Sequence, residues 1–187
     1  MEKKIAFYFL LLLIFLSGRN IAQTAAQTQN DLKIILIRHA EKPEKGGNLT
    51  CKGLNRSLQL PGVIHQKFGI PDFTYIPSLK MGEKTSHARM FETVIPLAVK
   101  YNLTINSKFD EKDIAGLAAD IKAHKGTVLV IWEHSVIAGI VQALGITDNI
   151  NWPGDDYESI WIITFLNGKP TLSKDKEGLS PSDECPG

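Results

Sequence analysis

Two histidines sit where a reactive site is easily built. His39 follows the run Asp31–Ile37 (DLKIILI) with Arg38 beside it, and His134 follows Thr127–Trp132 (TVLVIW) between Glu133 and Ser135. A neutral imidazole nitrogen can attack a phosphoryl group and carry it covalently. Guanidiniums bind phosphate oxygens bidentately, and a helix N-terminus adds N–H donors and positive potential. Arg38, Arg89, His134 and the Ser135 N–H, brought to one point, would make an anion pocket that supplies its own positive charge. Such a pocket needs no metal and no cofactor, because charge stabilisation and positioning are what phosphoryl transfer asks of a protein.

The elements around these residues predict how they meet. Asp31–Ile37 and Thr127–Trp132 are short β-branched apolar runs, the pattern of buried strands. Phe73–Ile76 and Leu103–Ile105 read as two further short strands. Between them lie helical patterns over Thr50–Gly69, Ser86–Tyr101, Asp113–His124 and Ser135–Leu144. Thr50 is placed to cap the first, Pro61-Gly62 is expected to break it in two, and Pro96 to kink the second. Asn167-Gly168 between Ser159–Phe165 and Lys169–Leu172 is a hairpin signal. Strands alternating with helices predict a three-layer α/β/α domain over residues 30–175 with a mostly parallel central sheet. In such a sheet ligands bind beyond the carboxyl ends of the strands, so His39 and His134 are expected to face one crevice. Arg89, in the first turn of a helix after the second strand, can reach the same place.

The composition allows this and excludes other classes. The 187 residues carry a formal net charge of +1, with 43% hydrophobic and 22% charged residues, which is ordinary for one globular domain and too balanced for a phosphate-neutralising nucleic-acid binder. Lys3 and Lys4 precede an unbroken apolar run from Ile5 to Leu16, followed by Ser17, Gly18, Ala22, Ala25 and Ala26. That is the layout of a signal peptide over residues 1–22, with cleavage as late as 26. The run would rise about 18 Å as a helix, short of a hydrocarbon core of about 30 Å, so no stable membrane anchor is expected. Loss of residues 1–22 shifts the net charge to −1. An exported chain, periplasmic or extracellular, has no access to cytosolic ATP or NAD. Export also permits a disulfide between Cys51 and Cys185, the only cysteines; the alternative is two free thiols. Residues 176–187 read as a tail, mobile unless Cys185 pins it.

Four fragments in order resemble one family, the histidine phosphatase superfamily, which is phosphoglycerate-mutase-like in fold. They are ILIRHAEKP at 35–43, Leu49-Thr50-Cys51-Lys52-Gly53 at the start of the first helix, Arg89-Met90-Phe91-Glu92-Thr93, and VLVIWEHS at 128–135. The resemblance implies His39 as nucleophile, with Arg38, Arg89 and His134 as the phosphate pocket. It implies an exported phosphatase hydrolysing a phosphomonoester, or a phosphohistidine, through a covalent phosphohistidine. The substrate would be a phosphorylated small molecule, glycan or protein, with no nucleic-acid partner.

The general acid is the open position. The family carries it after the third strand or directly after the second histidine, where this chain has Ser135. Asp110, Glu111 and Asp113, in FDEKD, are the candidates, Glu111 and Asp113 ahead of Asp110, although a charged helix start explains the same residues. Glu133 precedes His134 on one strand, so side-chain alternation is expected to turn it to the opposite face. Ser78–Ala88 is longer than the family's turn before its second arginine, and Glu41 is expected to hold an arginine. Two other readings remain. A non-catalytic phosphate- or phosphoglycan-binding module could keep the pocket without the acid. A zinc hydrolase is opposed by the lack of Cys-x-x-Cys and His-Glu-x-x-His.

Overall fold

The computed structural model describes residues 29–80 and 82–186, so the expected leader lies outside the described residues. The elements alternate as β1 (Gln29–Arg38), α1 (Cys51–Phe68), β2 (Phe73–Tyr75), α2 (Ala88–Tyr101), β3 (Ile105–Asn106), α3 (Ile114–Lys122), β4 (Gly126–Trp132) and α4 (His134–Ala143), then end in β5 (Ser159–Leu166) and β6 (Lys169–Lys176). One six-stranded sheet has the order β3-β2-β4-β1-β5-β6. The first four of these strands are parallel, and β5 and β6 are added antiparallel. Asn167 and Gly168 both take positive φ, 52° and 75°, as the two-residue hairpin between β5 and β6 requires.

Alternation along each central strand makes two cores. Leu32, Ile34, Leu36, Val128, Val130 and Trp132 pack with Leu117, Ile121, Ile137 and Ile140 of α3 and α4. Ile35, Ile37, Leu129 and Ile131 pack on the other face with Leu60, Ile64, Val94 and Leu97 of α1 and α2. The domain is therefore α/β/α in three layers, and both β1 and β4 are covered on both sides. Among the described residues no helix is long and apolar enough to cross a membrane.

The helix over 51–68 differs from the sequence expectation: Pro61 lies inside one continuous helix rather than opening a second. A proline in a helix interior costs about 3 kcal/mol. Leu60 and Ile64, which flank it, are fully buried against the sheet, and burial of two such side chains returns about 3–6 kcal/mol. Packing therefore outweighs the lost hydrogen bond. Pro96 lies within a single helix, α2, where the sequence places it. Thr50 caps α1 as expected, its side chain accepting from Gly53 N at 3.1 Å. Gly53 itself is forced by packing, because a Cβ there would run into the Glu41 carbonyl.

Two long-range links close the domain around the segment after β1. Arg56 of α1 is only 4% exposed. It donates through Nε and Nη2 to Glu41, and through Nη1 to Glu158 at 2.5 Å and Glu177 at 2.6 Å. One guanidinium thus ties the loop after β1 to the entry of β5 and the exit of β6. The second link is a disulfide between Cys51 and Cys185, with Cα atoms 4.5 Å apart. Beside it, Asn55 donates to Ser182 O and Glu184 O, and Lys52 pairs with Asp183, so the C-terminal segment is bonded along the first turns of α1.

Both links predict stability effects. The disulfide closes a separation of 134 residues, which the chain-entropy relation values at up to about 5 kcal/mol. Reduction, or Cys51→Ser, is expected to lower Tm clearly in calorimetry; an unchanged Tm would contradict the bond. Burial pushes the Glu177 carboxyl up to about 7, the pull of Arg56 being outweighed by burial and by the neighbouring Glu158 and Glu41 charges. A carboxyl raised in the folded state stabilises fully below its ordinary value of 4.5 and loses that contribution as pH rises through about 7. Glu177→Gln is expected to remove that loss, so the variant gains on the order of 2 kcal/mol relative to wild type between pH 5 and pH 8. Parallel Tm–pH curves for the two proteins would refute this.

Candidate active site

The site is built where β1 and β4 end side by side. Their register pairs Arg38 with Trp132, and His39 N donates to Trp132 O at 3.1 Å. The residues following the two strands therefore emerge together at the carboxyl edge of the sheet. His39 is fully buried and Arg38 nearly so. His134, the first residue of α4, and Glu133 before it are half-buried.

His39 Nδ1 lies 2.6 Å from Ala40 O. A carbonyl only accepts, so Nδ1 carries the hydrogen, and in the neutral ring the lone pair is on Nε2. Ala40 N in turn donates to Thr93 Oγ1 at 3.0 Å, which docks α2 against the segment after β1. Thr93 Oγ1 also donates to Arg89 O, one helical turn earlier, at 2.7 Å. Residues four apart share a helix face, so Arg89 stands on the face of α2 that meets Ala40. Its half-buried side chain forms no hydrogen bond or ion pair among the described residues.

Arg38 is held rigidly. Its Nη1 donates to Gly154 O at 2.8 Å and to Asp156 O at 3.3 Å, and Nη2 lies 3.3 Å from His134 Nδ1. Its guanidinium carbon sits 3.7 Å above the Tyr157 ring. Arg38 Nε is buried without an acceptor among the described residues, a donor that only a ligand or water can satisfy. Burial draws the guanidinium below its ordinary value, against the pull of Tyr157, Glu133 and Asp156. His134 is lowered as well, first by burial and then by the Arg38 charge, with Glu133 opposing.

Glu133 corrects the sequence expectation. Its carboxylate does not face away: Oε2 is 3.1 Å from His39 Nε2, and Oε1 contacts His134 Nδ1. Strand alternation ends with β4 at Trp132, and Glu133 is the extended residue (φ −74°, ψ 128°) that starts the turn into α4. Burial opposes its ionisation, but the hydrogen bond and charge of His39, with His134 and Arg38, hold its carboxyl down at about 2.

The two expected acids are engaged elsewhere. Asp113 is exposed and caps α3, accepting from Gly116 N at 3.0 Å. Glu111 Oε2 is 3.1 Å from His87 Nε2, and its carbonyl accepts from Trp132 Nε1 at 3.0 Å. Lys80 pairs with Asp110 at 2.8 Å. The FDEKD segment thus starts α3 and binds Lys80 and His87, and neither leading candidate is bonded to His39 or His134. Glu41 holds Arg56, as expected. Ser135 is exposed in the first turn of α4. Gly154, Asp156 and Tyr157, which fix Arg38, escaped the sequence reading; the only signal is a turn-rich GDDY ahead of a strand.

His39, Glu133 and His134 offer ligand atoms within 4.8 Å of one another. By distance alone they could surround a divalent ion. The chemistry does not fit one, because the Arg38 guanidinium already borders His134 Nδ1 and adds positive charge to the same space. An anion suits the arrangement.

No family model matches the chain, and no curated protein matches it. Solved structures do. The protein histidine phosphatase SixA, complexed with tungstate, is 14% identical with a TM-score of 0.55, covering 78% of this chain and 97% of its own. A mycobacterial glucosyl-3-phosphoglycerate phosphatase with inorganic phosphate is 13% identical with a TM-score of 0.56, covering 75% and 95%. Phosphoglycerate mutase from Bacillus anthracis is 14% identical with a TM-score of 0.52, covering 79% and 93%. The likeness spans the three-layer domain, and the chain has the fold of the histidine phosphatase superfamily.

Proposed function

We propose that the protein is an exported phosphatase that hydrolyses a phosphomonoester through a phosphohistidine at His39. The observation that carries this reading is the pairing of a buried imidazole, its Nδ1 bound to Ala40 O, with a rigid guanidinium whose Nε lacks an acceptor. The Nδ1 bond leaves Nε2 to attack phosphorus: an N–P bond forms as the ester P–O bond breaks. Arg38, Arg89 and His134 stabilise charge on the equatorial oxygens, and water then releases phosphate. Each donor aimed at developing charge contributes a factor of about 10²–10³ to kcat. The fold likeness to SixA and to a glucosyl-3-phosphoglycerate phosphatase supports the same class, with a phosphorylated small molecule, glycan or protein as substrate. The Cys51–Cys185 bond supports export, since structural disulfides persist in oxidising compartments.

Steady-state turnover of phosphomonoesters tests the reading. His39→Ala is expected to abolish activity, and Arg89→Ala to lower kcat by about 10²-fold or more. His124→Ala is expected to keep it, because His124 stacks on Phe73 and bonds Tyr75 outside this constellation. Wild-type turnover retained in His39→Ala would refute the mechanism; tight phosphate binding without turnover in any protein would make the chain a binding module.

A further inference from the structure

Glu133 stands at the N-cap of α4, yet its side chain caps nothing. A carboxylate there ordinarily accepts from the N–H groups of the next turn. This one spans the two imidazoles instead, Oε2 at 3.1 Å from His39 Nε2 and Oε1 against His134 Nδ1. The His39 ring already has a hydrogen on Nδ1, bound to Ala40 O at 2.6 Å. A neutral ring would then aim its Nε2 lone pair at a carboxylate oxygen. The contact is attractive only with a proton between Nε2 and Oε2. The resting site therefore holds one proton on the line along which the nucleophile must open.

We propose that Glu133 is the acid–base catalyst of the site: it withdraws that proton from His39 Nε2 and delivers it to the leaving oxygen. The proposal rests on the phosphohistidine reading of His39. An entering phosphoryl dianion competes for Arg38 and both imidazoles and displaces the carboxylate. Exchanging cationic neighbours for an anionic one favours the neutral carboxylic acid, so the proton leaves with Glu133. In the first half-reaction the Nε2 lone pair forms the N–P bond, the ester P–O bond breaks, and Glu133 gives its proton to the departing oxygen, which leaves as alcohol. In the second, the Glu133 carboxylate takes a proton from water, the water oxygen bonds phosphorus, and the N–P electron pair returns to Nε2. Ester and water become alcohol and phosphate, and Glu133 ends protonated, ready to close on His39 again. Glu133 has room for this movement, with 18% of its side chain exposed and no cap bond to break. Glu111 and Asp113 lack any contact with the reacting nitrogen.

The test compares wild type and Glu133→Gln, as full-length disulfide-bonded proteins, on two esters. β-Glycerophosphate has an alkoxide leaving group that needs a proton; 4-nitrophenyl phosphate does not. Glu133→Gln is expected to lose about 10²-fold or more on the glycerol ester, while its rapid-mixing burst of 4-nitrophenol stays within a few-fold of wild type. The burst also counts folded, competent sites, and Glu133→Asp is expected to regain part of the lost rate. Equal losses on both esters in kcat/KM, which reads the first half-reaction alone, no such loss on either, or leaving-group discrimination that moves with Glu111→Gln instead would overturn the proposal. If wild type turns over both esters without a burst and His39→Ala does the same, the phosphohistidine reading falls and takes the proposal with it. A wild-type burst beside a Glu133→Gln protein that does not discriminate removes the role of Glu133 alone.

Discussion

Parallel pairing of β1 with β4 is the constraint on which the site depends. The two strands run in register from Leu32 beside Gly126 to Arg38 beside Trp132, and both stop at the same edge. Because they are parallel, both chains leave the sheet in the same direction. Because they are adjacent, roughly 4.8 Å apart, the residues just past β1 must touch those just past β4. Arg38 and His134, His39 and Glu133 are in contact for that reason, across 96 and 94 residues of sequence. The bond from His39 N to Trp132 O extends the ladder one step beyond β1 and fixes where His39 stands at the sheet edge.

Putting three cationic or potentially cationic groups together is costly in the absence of an anion, and the fold compensates in several ways. Gly154 and Asp156 turn their carbonyls toward Arg38, Tyr157 lies under its plane, and Glu133 fills the space between the rings. The supporting frame uses the same device in the opposite sense: three carboxylates converge on Arg56, and one of them, Glu177, is buried so deeply that its proton affinity rises. Truncating Arg56 would be strongly destabilising, since it would leave its carboxylates buried together without a cation. Glu41 joins the two clusters, being two residues from His39 and bound to Arg56.

Local pattern carried much of this architecture. The β-branched runs before Arg38 and Glu133 identify strands that must be buried on both faces, and Thr50 and Asn167-Gly168 mark a cap and a hairpin through backbone chemistry that acts within a few residues. Pro61 shows where local pattern fails: burial of Leu60 and Ile64 overrides its helix-breaking character. Glu133 shows a subtler failure, a period-2 rule extended one residue past the strand that obeys it. Nothing local announces the grip of Gly154 and Asp156 on Arg38 or the arrival of Glu158 and Glu177 beside Glu41 on Arg56, and two cysteines permit the Cys51–Cys185 bond without fixing it. Each depends on segments a hundred or more residues apart meeting in three dimensions.

In the reading proposed above, the Nε2 atom of His39 receives the phosphoryl group. Mixing wild-type protein with a labelled phosphomonoester and quenching within a turnover, in alkali or in acid, tests it directly. Protein-bound label is expected that survives alkali, is lost in acid, and maps to the peptide containing His39. Release of product with no such label, or label on any other residue, would contradict it.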